Sequence, residues 1–157
     1  MAFGGILSEK LITFLASGFY SGLSPIAPGT AGTLVGVLIC LLCLPMPWIL
    51  RLFFVLALLA LSIYIADKAE KIYQTKDDQR IVIDEIIGLQ ITMLPAAINA
   101  LNLCVAFVLF RIFDIWKPFP VNHLQGLPGG WGIVADDVAA GLYAGMVLWL
   151  LKFGGIV

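Results

Sequence analysis

The sequence has few charged residues for its length. Only 12% of its 157 residues are Asp, Glu, Lys or Arg, whereas 61% are hydrophobic, and the mean hydropathy is +1.04. Soluble domains usually contain about 25% charged residues, which help to cover their surface with groups that water solvates. The composition therefore predicts an integral membrane protein.

The chain also lacks a strong positive charge and low-complexity tracts. Its formal net charge is −1, which excludes a polybasic protein that binds nucleic acid. The absence of long Gly/Ser, Gln or Pro tracts excludes a disordered chain. The first 30 residues do not combine a basic start, an apolar core and a small-residue cleavage site, so we expect no removable signal peptide. We expect one membrane-embedded domain, residues 1–157.

Cysteine and histidine are equally scarce, with three cysteines and one histidine. Cys40 and Cys43 form a Cys-x-x-Cys pair, but both lie in an apolar run, as does Cys104. A thiol in such surroundings behaves as a small hydrophobic side chain, so we expect neither a redox motif nor a disulfide framework. Any metal site is therefore expected to consist of oxygen ligands.

Long apolar segments predict membrane helices. Residues 30–44 and 48–66 are separated by the helix-breaking Pro45-Met46-Pro47 and are expected to form a helical hairpin. Residues 132–153 form a third run that is long enough to cross a bilayer. An interfacial or partly inserted helix is expected for residues 8–20.

Residues 81–98 and 99–116 are also apolar, but they are shorter. Each offers about 15 helical residues, or roughly 22 Å, which is less than the hydrocarbon core of a bilayer. They are predicted to form a second hairpin, either of two short spanning helices or of a re-entrant pair buried in protein. The expected fold class is all-α: a compact multi-helix integral membrane bundle of helical hairpins, in which the loops that carry the motifs face the cytoplasm.

The basic residues predict the orientation of this bundle. If the hairpins alternate, the N-terminus and the loops at residues 67–80 and 116–131 share one face. The opposite face carries only Arg51 and Lys152. The positive-inside rule therefore assigns the first face to the cytoplasm. Its basic residues are Lys10, Lys68, Lys71, Lys76, Arg80, Arg111 and Lys117.

Four polar or glycine-rich clusters fall at the predicted cytoplasmic ends of the helices. Each has an ordinary explanation when taken singly, such as a tight turn, a helix cap, an ion pair or a helix-dipole interaction. Their convergence favours a functional site, because ionisable groups in membrane segments are costly. The clusters are the loop at residues 18–33 with Gly29 and Thr30, the pair Asp84 and Glu85, the segment with Arg111, Asp114 and Lys117, and the pair Asp136 and Asp137.

The chemistry of these clusters indicates a metal-dependent phosphate site. Five carboxylates and two cations leave a local charge of −3, which repels itself unless further cations bind. Carboxylate ligands without His or Cys select a hard ion such as Mg²⁺. Backbone N–H groups at the start of a helix favour a phosphate. Such a set is suited to phosphoryl transfer, and its place at a membrane surface indicates a lipid phosphate.

The same four motifs closely resemble those of the phosphatidylglycerophosphatase A family. They occur in the family's order and read SGLSPIAPGT at residues 21–30, DEIIG at 84–88, FRIFDIWKPFP at 110–120 and GGWGIVADDVAAG at 129–141. The resemblance implies a Mg²⁺-dependent, multi-pass enzyme of the bacterial inner membrane that hydrolyses phosphatidylglycerophosphate to phosphatidylglycerol and inorganic phosphate. Some relatives carry a histidine before the last Gly-Gly pair, where this chain has Pro128.

The acidic residues are predicted to bind the metal ion, to accept a proton or to orient a neighbouring side chain. Asp84, Asp136 and Asp137 are predicted to bind Mg²⁺. Glu85 is predicted to be a further metal ligand or the general base for the attacking water. Asp114 is predicted to complete the metal shell or to orient the neighbouring arginine.

The two cations and the glycine-rich loop are predicted to bind the phosphate of the substrate. Arg111 and Lys117 are predicted to hold the phosphate oxygens and to neutralise the charge that develops on the leaving oxygen. Backbone groups around Gly29 and Thr30 are predicted to cradle the phosphate.

Two other classes of function remain open at this stage. A small cation or metabolite transporter also uses intramembrane acidic residues, although we see no convincing internal repeat. A non-catalytic scaffold or lipid-binding subunit gives no reason for the convergence of acids and cations. The expected partners are a phospholipid phosphate and the membrane, without nucleic acid, and the sequence leaves the oligomeric state open.

Overall fold

The computed structural model describes residues 7–156. Over these residues it contains seven α-helices, one 3-10 turn at Ser21–Leu23 and no strand, which confirms the predicted all-α class. The helices are α1, Glu9–Ala16; α2, Pro28–Leu42; α3, Trp48–Tyr73; α4, Ile83–Met93; α5, Ala100–Trp116; α6, Val121–Leu124; and α7, Gly130–Phe153.

Prolines and polar caps determine several helix ends. Pro28 occupies the first turn of α2, where its missing N–H costs no hydrogen bond. Asn99 caps α5, because its side chain accepts a hydrogen bond of 2.9 Å from the backbone N–H of Asn102. α5 ends where Lys117 adopts a left-handed conformation, with φ +44°, immediately before Pro118.

α3 extends further than its apolar run. The hydropathy pattern predicts an end at Ala66 followed by a loop, but the helix continues to Tyr73. Most residues of this extension are good helix formers, and Asp67 and Lys71 form an ion pair of 2.7 Å on successive turns. The loop between α3 and α4 is therefore confined to residues 74–82.

The exterior of the helices is apolar. α3 and α7 are long and apolar enough to cross a membrane. Large hydrophobic side chains point outward from α2, α3, α5 and α7. One example from each helix is Leu38, Phe53, Ile112 and Leu150, which are between 49% and 62% exposed. Soluble proteins rarely expose so extensive an apolar surface, so this exterior is suited to contact with lipid.

α4 lies at the centre of the bundle. Ten of its eleven residues are buried, and it packs against α2, α3, α5 and α7. A helix of eleven residues is about 17 Å long, which is too short to cross a bilayer core of about 30 Å. α4 is therefore short and enclosed by other helices, and the choice between a spanning and a re-entrant hairpin for residues 81–116 stays a prediction.

A buried arginine fixes the end of α4. Arg51, near the start of α3, donates hydrogen bonds through Nη2 to the carbonyl oxygens of Met93, Leu94 and Ala96, at 2.8, 2.6 and 3.1 Å. These carbonyls lie at or just beyond the end of α4, where no further helical turn supplies N–H donors. Trp48 Nε1 adds a hydrogen bond of 3.2 Å to Leu94 O. Arg51 therefore has a structural role.

Candidate active site

α4 and α7 cross at glycine residues and run in the same direction. A side-chain carbon on Gly141 would lie 2.5 Å from Gly88 O, so the two backbones are in direct contact. One turn further along each helix, Gly145 faces Thr92. Thr92 Oγ1 donates to Gly88 O at 2.9 Å and to Gly141 O at 3.3 Å. Small residues allow this close approach, and the residue numbers rise together along both helices.

This crossing brings three carboxylates together. Asp84 precedes Gly88 by four residues and Asp137 precedes Gly141 by four, so each aspartate lies one turn before the contact. Oxygen atoms of Asp84, Glu85 and Asp137 lie within 4.8 Å of one another. We call these three residues the acidic trio. The Asp-x3-Gly spacing in both helices is the sequence signal for this arrangement, and it is missed when the charges alone are considered.

The glycine contact leads to a prediction about stability. Gly141→Ala should force α4 and α7 apart, because the new methyl group would meet backbone atoms that cannot move independently. We expect a loss of about 2 kcal/mol in the free energy of unfolding, measured by thermal unfolding of the purified protein in detergent. Gly145→Ala is the matched control, since its methyl group would lie 3.3 Å from Thr92 O. Equal losses in the two variants would contradict this packing.

Arg111 connects α5 with α4 and α2. Its Nη1 lies 2.7 Å from Asp114 Oδ2 and 3.9 Å from Glu85 Oε1. Nη1 also makes a long hydrogen bond of 3.5 Å to Thr33 Oγ1. Nε is buried and has no hydrogen-bond partner among residues 7–156. A guanidinium carries five N–H donors, so Arg111 retains capacity to bind an anion.

Lys117 lies just beyond the helix that carries Arg111 and Asp114. The three-residue spacing predicts that Arg111, Asp114 and Lys117 share one face of a helix, but α5 ends at Trp116. Lys117 follows in a left-handed conformation, and its Nζ donates to Asp136 Oδ2 at 2.6 Å. The prediction of a shared face is therefore wrong for Lys117, because the helix stops one residue before it.

Asp136 and Asp137 lie inside α7 rather than at its start. The predicted apolar run begins at residue 132 and α7 begins at Gly130, so both aspartates lie about two turns after the start of the helix. The helix dipole acts mainly within the first turn, so it does not stabilise them. Both residues are 3% exposed, and Asp136 Oδ1 and Asp137 Oδ2 are buried without a hydrogen-bond partner in the described chain. An ionised Asp137 therefore needs further positive charge nearby.

The glycine-rich loop reaches the site through Gly29 and Thr33. A side-chain carbon on Gly29 would overlap Glu85 Oε1 and would lie 3.1 Å from Arg111 Nη1. Thr33 Oγ1 donates to Gly29 O at 2.8 Å. The hydroxyl beside Arg111 is that of Thr33. The prediction for Gly29 and Thr30 concerns their backbone groups and stays a prediction. Thr33 lies one helical turn after the motif's glycine, and this spacing is the signal that could have identified it.

Asp77, which is not among the site residues predicted from the sequence, lies close enough to the cluster for the charges of Asp136 and Lys117 to act on it. It lies in the loop between α3 and α4, with φ +52°. Neighbouring protein partly desolvates its carboxylate and raises the pKa of Asp77; the charge of Asp136 raises this pKa further, and Lys117 opposes the change. The side chain nevertheless remains open to solvent. The sequence gives little signal for Asp77, because the charges of residues 67–80 cancel and suggest a solvated loop.

An apolar exterior around carboxylates and cations is the arrangement that an enzyme acting on a lipid phosphate needs, and it makes this class of helical enzyme the expected one. The chain belongs to the phosphatidylglycerophosphatase A family, whose family model matches residues 14–152. The family indicated by the four motifs is thereby confirmed. With it comes the enzyme class, a phosphatase that acts on a phosphate monoester.

Individual relatives match most of the chain. A protein of Escherichia coli (strain K12) named Phosphatidylglycerophosphatase A is 37% identical over 139 residues, covering 87% of this chain and 81% of that protein. A Haemophilus influenzae protein of the same name is 37% identical over 147 residues, covering 90% of this chain and 89% of that protein. A Bacteroides thetaiotaomicron protein named "Putative phosphatidylinositol-3-phosphatase" is 38% identical over 151 residues, covering 91% of this chain and 94% of that protein. No solved structure matches the chain significantly. The names agree on a phosphatase and differ in the lipid.

Proposed function

We propose that this protein is a Mg²⁺-dependent phosphatase that hydrolyses phosphatidylglycerophosphate to phosphatidylglycerol and inorganic phosphate during phospholipid synthesis. The observation that carries the proposal is the convergence of the acidic trio with Arg111 and the Lys117–Asp136 pair in one buried site. Membership of the phosphatidylglycerophosphatase A family supports the choice of substrate.

The residues of the site fit a hard divalent cation. Asp84, Glu85 and Asp137 offer closely spaced oxygen atoms. Glu85 Oε2, Asp136 Oδ1 and Asp137 Oδ2 are buried and have no hydrogen-bond partner within residues 7–156. The two cations, Arg111 and Lys117, do not balance the five carboxylates of the site. We assign Mg²⁺ to the acidic trio, with Asp136 as a further ligand. A bound Mg²⁺ supplies charge neutralisation for the phosphate oxygens and acidifies water.

The remaining side chains bind the phosphate, neutralise the leaving oxygen and transfer a proton. Arg111 has an unpartnered Nε and holds a phosphate oxygen, while Asp114 fixes the guanidinium through its contact of 2.7 Å. Lys117 neutralises the oxygen of the leaving lipid alcohol. Glu85, whose Oε2 has no hydrogen-bond partner among residues 7–156, also accepts a proton from the attacking water. The water oxygen forms the new bond to phosphorus as the phosphorus–oxygen bond to the lipid breaks, and the proton that Glu85 takes from the water is then returned to the lipid oxygen.

We place the enzyme in the cytoplasmic membrane of a bacterium, as a multi-pass protein with the site on the cytoplasmic side. The apolar exterior of α3 and α7 supports insertion. Exposed tryptophans mark both ends of the bundle, with Trp48 and Trp149 lining one groove and Trp116 and Trp131 near the site. Such aromatic belts are typical of the two membrane interfaces. Most basic residues lie on the side of the site, as the positive-inside rule requires.

The proposal is tested by phosphate release from a panel of lipid phosphates. Purified protein in mixed micelles should hydrolyse phosphatidylglycerophosphate with Mg²⁺ and should lose the activity in EDTA. Phosphatidylinositol 3-phosphate belongs in the panel, because the Bacteroides relative is named for it. Full activity in EDTA would contradict the metal assignment, and preference for another lipid phosphate would contradict the substrate. Cation flux into liposomes without phosphate release would identify a transporter instead.

The contact between Gly29 and Glu85 gives a further prediction. Gly29→Ala should displace the Glu85 carboxylate, because the new methyl group would overlap Oε1 at the flexible end of that side chain. We expect kcat for phosphate release to fall about tenfold, while the melting temperature changes by less than about 2 °C. Gly36→Ala is the control in the same helix, since its methyl group would lie 3.1 Å from Leu89 Cδ2 and 3.4 Å from Ile86 O, away from the site carboxylates. Equal activity of the two variants would contradict the role of Gly29.

A further inference from the structure

The outward face of α5 carries an open groove that ends at a residue of the site. The groove has a volume of about 690 Å³. Arg111 is its one charged lining residue, and Val108, Ile112 and Ile115 are 54%, 49% and 73% exposed. The lining residues are Phe107, Val108, Arg111, Ile112, Ile115 and Trp116, all from α5. We call this feature the α5 groove.

We propose that the α5 groove binds an acyl chain of the phospholipid substrate, with Arg111 at the junction between the acyl chain and the phosphate-bearing headgroup. This inference rests on the proposed function. Arg111 lines the groove and also contacts Glu85 and Asp114 in the site. A phospholipid joins a phosphate to acyl chains through one glycerol unit, so its binding site needs an apolar surface that is continuous with a cation.

The exposed surface of α5 continues this groove away from the site. Val108, Cys104 and Leu101 are all exposed and follow one another at intervals of four and three residues, so they share one face of the helix. From Arg111 to Leu101 this face extends about 15 Å along α5. It runs from the end of the helix that carries the site towards the other end of the bundle. An acyl chain on this face therefore stays within the hydrocarbon while the phosphate reaches the carboxylates.

Three further grooves among residues 7–156 have only uncharged lining residues, and one of them, of about 200 Å³, is lined by Pro120, Ala139 and Tyr143 among others. A second, of about 640 Å³, lies between Trp48, Leu94 and Trp149, and only uncharged residues line it. Leu94 follows Asp84 by ten residues, or about 15 Å along α4, so this groove lies at the opposite end of the bundle. A third, of about 330 Å³, lies between α1, α2, α3 and α4 and also has only uncharged lining residues. Of these four grooves, the α5 groove alone links an apolar surface to a cation of the site.

Acyl-chain selectivity tests this assignment. Val108→Trp should fill the groove one turn away from Arg111. The measured quantity is the ratio of kcat/KM for a dipalmitoyl substrate to that for a dihexanoyl substrate, both at a fixed fraction in mixed micelles. We expect Val108→Trp to lower this ratio about tenfold relative to wild type. Leu56→Trp, at a position of α3 that is 51% exposed, is the matched control and should keep the wild-type ratio. An unchanged ratio in Val108→Trp would overturn the proposal.

A second measurement does not depend on a variant that folds. Wild-type protein is mixed with a phosphatidylglycerophosphate that carries a diazirine on one acyl chain, in an excess of phosphatidylcholine, and is illuminated. Cross-links that unlabelled phosphatidylglycerophosphate suppresses should map to residues 101–116. Suppressible cross-links confined to the groove at Trp48 and Trp149, or none at all, would overturn the α5 assignment. If wild-type protein releases no phosphate from any lipid, the proposed function itself fails, and this outcome is separate from the position of the cross-links.

Discussion

Replacing Asp137 with asparagine should abolish phosphate release while the protein remains folded. Asp137 is the member of the acidic trio that α7 supplies, and its Oδ2 has no partner among residues 7–156. An amide in its place lacks the negative charge that a hard divalent cation requires. We expect kcat/KM to fall about 10³-fold or more, equivalent to about 4 kcal/mol of transition-state stabilisation. The measurement is phosphate release from phosphatidylglycerophosphate with Mg²⁺ in excess.

Thermal unfolding separates this loss from misfolding. Without metal, Asp137 lies close to Asp84 and Glu85 in a buried site, and removal of one of three like charges relieves repulsion. The melting temperature of Asp137→Asn in EDTA should therefore equal or exceed that of wild type. Mg²⁺ should raise the melting temperature of wild type more than that of the variant, because a ligand stabilises the state that binds it.

A matched substitution outside the site provides the control for Asp137→Asn. Glu70→Gln also converts a carboxylate into an amide, and Glu70 forms no ion pair with the described residues. It should retain wild-type activity and the wild-type response to Mg²⁺. Wild-type activity in Asp137→Asn would contradict the metal site, and so would an activity loss that accompanies a lower melting temperature and an unchanged response to Mg²⁺.

Much of the helical organisation could be predicted from hydropathy. The helices α2 and α7 begin within two residues of their predicted starts, because prolines and glycines bound apolar runs there. The extension of α3 to Tyr73 could not be read in this way, since its last two turns are polar and helical propensity decides their structure. For α4 the sequence left an enclosed helix as one of two alternatives, because burial on every side depends on how the other helices pack around it.

The candidate site shows the same division between what local sequence encodes and what packing decides. The motifs predict which acids and cations lie at one end of the bundle, because charges in an apolar chain are conspicuous. They do not predict partners. Lys117 contacts Asp136 because α5 ends one residue earlier, and Asp137 joins Asp84 because two glycines bring the helices into contact. Both facts depend on the crossing of elements that are distant in sequence.

Arg111→Lys should lower activity strongly although it keeps the positive charge. Lysine replaces the planar guanidinium with a single ammonium group. In Arg111, Nη1 contacts Asp114 and Thr33, and Nε has no hydrogen-bond partner among the described residues. We expect kcat/KM for phosphatidylglycerophosphate to fall about 10²-fold. The lysine variant is preferred to alanine, because loss of all positive charge would leave Asp114 and Glu85 without their shared cation and would destabilise the fold.

The inhibition constant of inorganic phosphate distinguishes phosphate binding from a purely structural role. If Arg111 holds a phosphate oxygen, this constant should rise in Arg111→Lys together with the loss of activity. If Arg111 only positions Asp114, activity falls but phosphate binds as in wild type, and the assignment of Arg111 to the phosphate is wrong. Arg80→Lys is the matched control, because Arg80 pairs with Asp78 at 2.7 Å in the loop before α4. That variant should keep both the activity and the inhibition constant of wild type, since it alters a guanidinium–carboxylate pair outside the site.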